Sequence, residues 1–335
     1  MATSYVGIDI GSGSIKLALR NPGLHLISRR LPDNVVQDGV IVSPEIMTDL
    51  LKTIRDEENI KQKDCVLMLS PSQIFFRQLT MPPMTVDELL INLPFEFRDF
   101  IEGDPGDYVF DYAVDHLDYD DEGNVTSMQL YAAAVERRLV ELRADILRKA
   151  GFRLRIAAPS LLTYAQLLDG YAQAHPDEPE RDVALINIGF ADITISLYKG
   201  SRFDGIRTIN FGCRDLDNAI AELKGIDPHV AGAYKHTNFE GVLDTPEAHA
   251  VYDRLDFEVI KVINFYNFSN PDGDISAIYL LGGGSEIVQL VESMRESLDI
   301  PILSIEELLP PDMQGVPDSA SCALAIAGMI AGEMV

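Results

Sequence analysis

The chain has 335 residues, of which 47% are hydrophobic, and this apolar content is enough for two packed domains. The formal net charge of −26 disfavours direct binding to nucleic acid or anionic lipid, because both are themselves negatively charged. No apolar run reaches the roughly 20 residues that cross a bilayer, so direct membrane insertion is not expected. Three scattered cysteines predict a reduced cytosolic protein without disulfides.

Alternating apolar residues predict a three-stranded meander at the start of the chain, followed by a helix and a buried strand. The glycine-serine turn Gly11–Ser14 joins the first two strands. The predicted elements are strands at 5–10, 15–20 and 24–30, a helix at 44–58 and a strand at 65–70.

The next segment, 72–150, is predicted to form a small α+β unit. Its first helix begins with a capping box made by Thr85 and Glu88, and an apolar stripe runs along that helix. We expect the stripe to border a docking groove for an extended partner peptide, with packing inside the unit itself as the alternative. The candidate groove residues are Met84, Leu89, Leu93 and Phe97.

The second half of the chain repeats the three-strand pattern of the start. A polar, proline-bearing loop precedes the repeat, and helices and a glycine-rich turn follow it. The predicted elements are helices at 135–150, 159–173, 214–224, 246–268, 284–298 and 319–333, and strands at 152–157, 183–188, 193–198, 203–209 and 275–281. A pattern that occurs twice predicts two similar domains facing each other across a cleft.

The two opening hairpins align residue by residue. VGIDIGSGSIKLALR at 6–20 matches ALINIGFADITISLY at 184–198 in its apolar positions and in the first glycine of the turn. The two copies differ at the acid and at the cation. Asp9 stands opposite Asn187, and Lys16 stands opposite a threonine.

The first hairpin has the composition of a phosphate-binding turn. Its glycines allow backbone N–H groups to face an anion, Asp9 is a candidate Mg²⁺ ligand, and Lys16 would offset phosphate charge. An ordinary hairpin turn is the alternative for this motif alone. The later glycine-rich turn would lie against a base or diphosphate, or serve as a tight packing turn. The candidate nucleotide-binding residues are Asp9, Gly11, Ser12, Gly13, Ser14, Lys16, Asn187, Gly189, Lys235, Gly282, Gly283, Gly284 and Ser285.

Two phosphate hairpins followed by a glycine-rich loop resemble the superfamily of actin, the sugar kinases and the heat-shock chaperones. Within it, the chain is most similar to the type IV pilus assembly protein PilM family, a relative of the cell-division protein FtsA. The segment 72–150 resembles the small subdomain that PilM and FtsA carry and actin lacks. The stretches that carry the resemblance include YVGIDIGSGSIKLAL, LPDNVVQDGVIVSPE, SQIFFRQLTMPPMTVDELLINLPFEFRDFI, AGFRLRIAAPSLLTYAQLL and LLGGGSEI.

The resemblance implies an α/β fold of two actin-like (ribonuclease H-like) domains that face each other across a nucleotide cleft, with ATP and Mg²⁺ as cofactors. The implied first domain comprises 1–71 and 318–335, and the inserted α+β subdomain comprises 72–150. The second domain would be 151–317, with a helical and β extension around 212–275.

The resemblance also implies a nucleotide-binding scaffold of a type IV pilus or related inner-membrane assembly platform. Its partner would be the cytoplasmic N-terminal peptide of a PilN-like bitopic membrane protein, held between the inserted subdomain and the first domain. This attachment would place the chain in the cytoplasm, peripherally at the inner face of the cell membrane. Self-association is left open.

Four positions in the second half depart from the family pattern. We therefore expect at most a weak ATPase, although Asp192 as a replacement metal ligand stays open as the alternative. The departures are Asn187 for aspartate, Asp192 for serine or threonine, Asp217 for threonine and Gly232 for glutamate.

Two other functions that occur in the same superfamily have weaker support in the sequence. An FtsA-like division scaffold needs a basic amphipathic membrane helix at its C-terminus, but residues 296–335 contain no lysine or arginine. A small-molecule kinase needs a catalytic aspartate and a substrate pocket, and the sequence offers no further motif for either.

Overall fold

The computed structural model describes residues 4–37, 39–270 and 273–334. In chain order, the strands are β1 (Val6–Ile10), β2 (Ser14–Arg20), β3 (Leu24–Arg30), β4 (Val36–Gln37), β5 (Val40–Ile41), β6 (Asp64–Leu69), β7 (Phe75–Met81), β8 (Tyr108–Tyr119), β9 (Val125–Glu136), β10 (Arg153–Pro159), β11 (Asp182–Ile188), β12 (Ile193–Lys199), β13 (Arg202–Ile209), β14 (Ala277–Leu281) and β15 (Ile302–Ser304). The α-helices are α1 (Pro44–Glu57), α2 (Val86–Glu96), α3 (Arg137–Lys149), α4 (Ser160–Ala174), α5 (Cys213–Lys224), α6 (Pro228–Thr237), α7 (Pro246–Ser269), α8 (Val288–Ser297) and α9 (Ala323–Glu333). None of these helices is both long and apolar enough to cross a bilayer.

Two five-stranded sheets have the same topology. Their strand orders are β3-β2-β1-β6-β10 and β13-β12-β11-β14-β15. In each sheet the meander is antiparallel, and the last two strands run parallel to the first strand of the meander. Strand β14 consists only of buried apolar residues, as expected for a strand covered on both faces. The repeated topology agrees with the predicted α/β fold of two similar domains.

The inserted subdomain has a core of its own, formed by α2 and the sheet β7-β9-β8. Its predicted capping box is present, because the N–H of Thr85 donates to Glu88 Oε2 over 2.8 Å and the N–H of Glu88 donates to Thr85 Oγ1. The apolar stripe of α2 packs against the sheet and closes this core.

The structure differs from the predicted domain division between residues 137 and 174. Strand β10 hydrogen-bonds to β6 in the first sheet, while α3 packs against α1 and α4 packs against α9. These three elements belong with the first sheet, whereas the sequence assigned them to the insert and to the second domain. Pairing between β6 and β10 is non-local, so the patterning of neighbouring residues does not reveal it.

The predicted helical and β extension around 212–275 differs from the observed structure in its secondary structure. Helices α5, α6 and α7 share one apolar core with the second sheet. The described residues between 212 and 275 contain no strand, so this region is helical rather than mixed helix and strand.

Candidate functional site

The first hairpin brings its predicted charges together at the cleft. Strands β1 and β2 pair so that Asp9 lies directly opposite Lys16. The N–H of Gly11 donates to the carbonyl of Ser14 over 3.0 Å and closes the turn. A phosphate nest at this tip would therefore have to use the amides of Ser12 and Gly13.

Lys16 is almost completely buried and already has a partner. Its Nζ donates to the carbonyl of Ser321 over 2.6 Å, which joins the hairpin to the turn before α9. Burial raises the pKa of Asp9, while the positive charges of Lys16 and Arg143 lower it. One carboxylate thus faces two cations.

Two residues near Asp9 were missed by the sequence analysis. Arg143 of α3 is only 2% exposed, and the buried hydroxyl of Tyr164 on α4 finds no hydrogen-bond partner among the described residues. The sequence pattern does indicate that Arg143 is buried, because helical spacing places it on the same face as Ile146 and Leu147. A charged residue at such a core position is rare unless it is paired.

The second hairpin packs against the start of α5. The N–H of Gly189 donates to the carbonyl of Asp192, as in the first hairpin. The carbonyls of Gly189 and Phe190 accept N–H groups from Cys213 and Arg214 over 3.0 and 2.9 Å. The amides at the N-terminus of α5, which attract anions in many proteins, are therefore used inside the chain.

Asp192 is half-buried in this second half-site. Burial raises its pKa, and the positive charge of Arg214 lowers it. Burial is the larger of these two effects, so the pKa of Asp192 is raised overall. Asn187, near the end of β11, lies with its side-chain oxygen against Gly282.

The tips of the two hairpins touch across the cleft. A Cβ atom added to Gly13 would lie 2.6 Å from Cγ of Phe190, so the phenyl ring rests on the glycine backbone. The ring occupies the space between the two turns that were predicted to hold phosphates. A triphosphate could enter only if the tips moved apart or the ring turned away.

Lys235 is held in an internal ion pair. Its Nζ lies 2.6 Å from Oδ1 of the buried Asp217 and donates to the carbonyl of Cys213. The guanidinium of Arg30, from the first sheet, lies against Gly232, where a Cβ would be 2.7 Å from its nearest nitrogen. Two of the departures from the family pattern thus form internal contacts around the cation predicted to bind nucleotide.

In a Lys235→Met variant, we expect the free energy of unfolding to fall as the pH rises from about 4 towards neutrality. Burial raises the pKa of Asp217, and methionine removes a cation that lowers it. The folded state then holds a proton that the unfolded state has lost, so stability decreases with rising pH. Urea unfolding across this pH range measures the slope, with the exposed Lys261→Met as control. If the free energy of unfolding changes with pH equally in both variants, Lys235 does not hold Asp217 in its charged form.

The glycine-rich turn after β14 is required mainly for packing. Gly282 has φ +86°, and a Cβ there would lie 2.6 Å from the carbonyl oxygen of Ile188, while a Cβ on Gly284 would collide with the Ile188 side chain. Gly283 has open space around it, and Ser285 Oγ donates to the carbonyl of Gly282 over 2.7 Å. Of the three glycines, only Gly283 is free to approach a ligand closely.

Mg²⁺ at Asp9 remains a prediction, with one carboxylate as its candidate ligand. The described residues contain no group of three or more His, Cys, Asp or Glu side chains that could hold a metal ion. Mg²⁺ often binds through one or two carboxylates and phosphate oxygens, but the single carboxylate here faces Lys16 and Arg143. A divalent cation would be repelled by both.

The predicted groove residues on α2 do not line a groove. Leu89, Leu93 and Phe97 are at most 2% exposed and lie in the core of the insert, with Met84 packed at its edge. The spacing of the stripe places these side chains on the face of the helix that packs against the sheet. They therefore form the core of the insert, which was the alternative to a docking groove.

Other apolar side chains are exposed where the insert meets the first domain. Gln73, just before β7, donates to the carbonyl of Gly39, and this contact defines the junction. Val40 and Val42 next to it are 55% and 45% exposed, and Phe75 at the start of β7 is 37% exposed. We call Val40, Val42 and Phe75 the junction surface.

A separate polar cavity of about 340 Å³ lies between the sheet of the insert and the second domain. Arg202 and Asp115 form an ion pair of 2.5 Å beside it, and the carbonyl of Phe203 accepts hydrogen bonds from Gln78 and Tyr131. These contacts tie the insert to the start of β13. No sequence motif indicated them.

Both the sequence and the fold of the chain match known proteins. The family described as type IV pilus assembly protein PilM matches residues 7–313. A solved PilM-PilN type IV pilus biogenesis complex is 22% identical, with a TM-score of 0.80 and coverage of 98% of each chain.

Two further solved structures share the fold. The ethanolamine utilization protein EutJ from Carboxydothermus hydrogenoformans is 14% identical, with a TM-score of 0.60 and coverage of 97% of this chain and 89% of that one. MreB 5 of Spiroplasma citri bound to AMPPNP is 12% identical, with a TM-score of 0.56 and coverage of 100% and 97%. These likenesses confirm the actin-like fold, and the match over 7–313 shows the family. The chain belongs to the type IV pilus assembly protein PilM family.

Proposed function

We propose that the chain is a scaffold of a type IV pilus assembly platform that docks the cytoplasmic N-terminal peptide of a PilN-like membrane protein. The observation that carries this proposal is the junction surface, which leaves apolar side chains exposed where the insert meets the first domain. The PilM-PilN complex among the similar structures supports the choice of partner. Through that partner, the chain would work at the inner face of the cell membrane.

The junction surface suits an extended apolar peptide. Val40 lies on β5 and Val42 in the bend that follows it, and both side chains are exposed. Among the described residues, β7, which begins at Phe75, is an edge strand that pairs with β9 alone. A peptide added along this edge would gain backbone hydrogen bonds and cover the three apolar side chains.

The proposal includes nucleotide binding with weak or absent hydrolysis. The AMPPNP-bound MreB 5 structure supports a nucleotide of the ATP type for this fold. Several cleft groups already have partners within the chain, including Lys16, Lys235 and the amides that begin α5. A nucleotide must compete with these contacts, and Asn187 lacks the charge of the acid that it replaces, with Asp192 as the remaining candidate acid of the second half-site. Docking would therefore not depend on ATP turnover.

Docking is tested by calorimetric titration of the full chain with the cytoplasmic peptide of the PilN-like protein from the same source. We expect Val40→Asp and Val42→Asp each to weaken binding at least about tenfold, which corresponds to roughly 1.4 kcal/mol. A buried carboxylate at the interface would lack a partner. Val288→Asp is the matched control, because Val288 is an equally exposed valine in the second domain.

A further variant tests whether the peptide docks on the exposed face of α2 instead of on the junction surface. Ile91 lies on the outward face of α2 and is 67% exposed. If Ile91→Asp abolishes binding while the junction variants bind normally, the peptide docks on α2 and the junction surface is not the site. If none of the variants differs from the control, docking through the exposed apolar side chains of the insert is wrong.

A further inference from the structure

The side of α2 that faces away from the core of the insert exposes large apolar side chains. Val86 lies beside Leu90, and Ile91 lies beside Phe95, because residues four apart are neighbours on a helix. The two rows run next to each other for about 14 Å along the helix. Apolar side chains gathered in this way mark interaction surfaces. We call these four residues the outer α2 face.

The surroundings of the outer α2 face are strongly acidic. Residues 85–107 hold seven acidic side chains and one basic one, whereas the whole chain has 53 acidic and 27 basic residues. Asp87 lies beside both apolar rows by helical spacing, and Asp99 is exposed just after the helix. The one basic residue, Arg98, has its guanidinium 5.2 Å from the centre of the Phe95 ring. The acidic excess is therefore greater here than in the chain as a whole.

The charge around the outer α2 face selects the chemistry of a partner. Anionic lipid and nucleic acid would be repelled, whereas lysine and arginine side chains would pair with the carboxylates and cover apolar surface with their stems. A helix face has no free sheet edge, so a partner gains no backbone hydrogen bonds there and must satisfy its own backbone as a helix. These properties describe a basic amphipathic helix.

A second exposed apolar face, on α7, has basic neighbours instead. This helix exposes Phe265 and Phe268, and the guanidinium of Arg207 lies 6.0 Å from the centre of the Phe265 ring. Lys261 is also exposed on α7. A basic partner would not be attracted to this face. Phe265 is therefore a matched control for Phe95, since the two phenylalanines are 62% and 58% exposed on helices.

We propose that the outer α2 face docks a basic amphipathic helix of a second protein, separately from the peptide at the junction surface. Cationic side chains of that helix pair with Asp87 and Asp99, and its apolar stripe covers the two rows. The inference goes beyond the proposed function, because it concerns a different surface and a different partner.

The test is a calorimetric titration of the full chain with a synthetic peptide of about 18 lysine and leucine residues, in which the leucines form one face of a helix. Phe95→Ala should weaken binding at least about tenfold, whereas Phe265→Ala should bind like the unmodified chain. A peptide of the same composition in scrambled order has no apolar face and should bind at least about tenfold more weakly. Equal binding of the two variants, or of the two peptides, would overturn the proposal.

A second pair of variants tests the charges. Asp87→Asn combined with Asp99→Asn should weaken binding of the ordered peptide about fivefold. Asp121→Asn combined with Glu122→Gln removes the same charge from the exposed turn between β8 and β9, and should change the affinity less than about twofold. Equal losses would mean that the total charge of the chain attracts the peptide and that the outer α2 face is not its site.

Two further measurements separate this proposal from its alternatives. Phe95→Ala should leave the affinity for the PilN-like peptide unchanged, so a failure of docking at the junction surface would not affect the result. Competition between that peptide and the lysine-leucine peptide would show that the two share one site, which contradicts a separate surface. Sedimentation of the chain alone examines the other occupant. If the chain self-associates and Phe95→Ala abolishes this, a second copy covers the outer α2 face and the proposal is wrong.

Discussion

Gly7→Ala is expected to destabilise the first domain by at least about 3 kcal/mol, because it would force α9 away from the central strand. A Cβ on Gly7 would lie 2.6 Å from the backbone nitrogen of Met329 and would also collide with the carbonyl of Ala325. Both obstacles are backbone atoms of α9, which cannot move aside singly. Urea unfolding of the full chain measures the loss.

The control for this prediction is Gly23→Ala. A Cβ on Gly23 meets nothing within 4 Å, so its stability should change by less than about 0.5 kcal/mol. Gly328 of α9 faces Gly7, and a Cβ there would come within 3.7 Å of the Cα of Gly7. If Gly7→Ala is as stable as the control, helix and strand do not pack through these two glycines.

Phe190→Ala is expected to raise the affinity for ADP by about tenfold. The phenyl ring rests on Gly13 between the two hairpin tips, and a ligand must displace it. Breaking the contact of one partly buried aromatic ring costs about 1–2 kcal/mol, which corresponds to this factor. Phosphate release should stay near the background, because the substitution adds no second acid at Asn187.

Calorimetric titration with ADP measures this effect, and Phe268→Ala is the control. Phe268 is 87% exposed at the end of α7, so its removal should leave ADP affinity unchanged. Equal affinities of the two variants would mean that the hairpin tips do not need to separate. A large gain in ATP turnover would mean that the second half-site is competent after all.

The repeated hairpins made the two-domain fold predictable from sequence. Strand alternation, the glycine turns and the shared spacing of 6–20 and 184–198 are local patterns, and the two sheets reproduce them with one topology. The assignment of β10 to the first sheet could not be read in the same way. It depends on pairing with β6, which is far away in sequence.

The sequence predicted several residues of the site, but it did not predict which residues they contact. The sequence identified Asp9, Lys16 and Lys235, but their partners come from distant segments, such as the carbonyl of Ser321 and the side chain of Asp217. Arg143 carried a sequence signal, since it falls on the apolar face of its helix. The position of Phe190 against Gly13 had none, because it depends on how the two domains meet.

The α2 stripe shows why an apolar pattern does not by itself identify a docking surface. Its spacing correctly predicted an amphipathic helix, but the buried side was Leu89, Leu93 and Phe97, which closes the core of the insert. The exposed apolar residues at the junction lie on short strands and loops, where no periodicity marks them.

The central claim is that this PilM-family scaffold docks its membrane partner without ATP turnover. The most direct measurement is the affinity of the full chain for the PilN-like cytoplasmic peptide, determined by calorimetry in EDTA without nucleotide and again with Mg-ATP. We predict binding in both conditions, with dissociation constants that agree within about threefold. Binding that is detectable only with Mg-ATP would contradict this account.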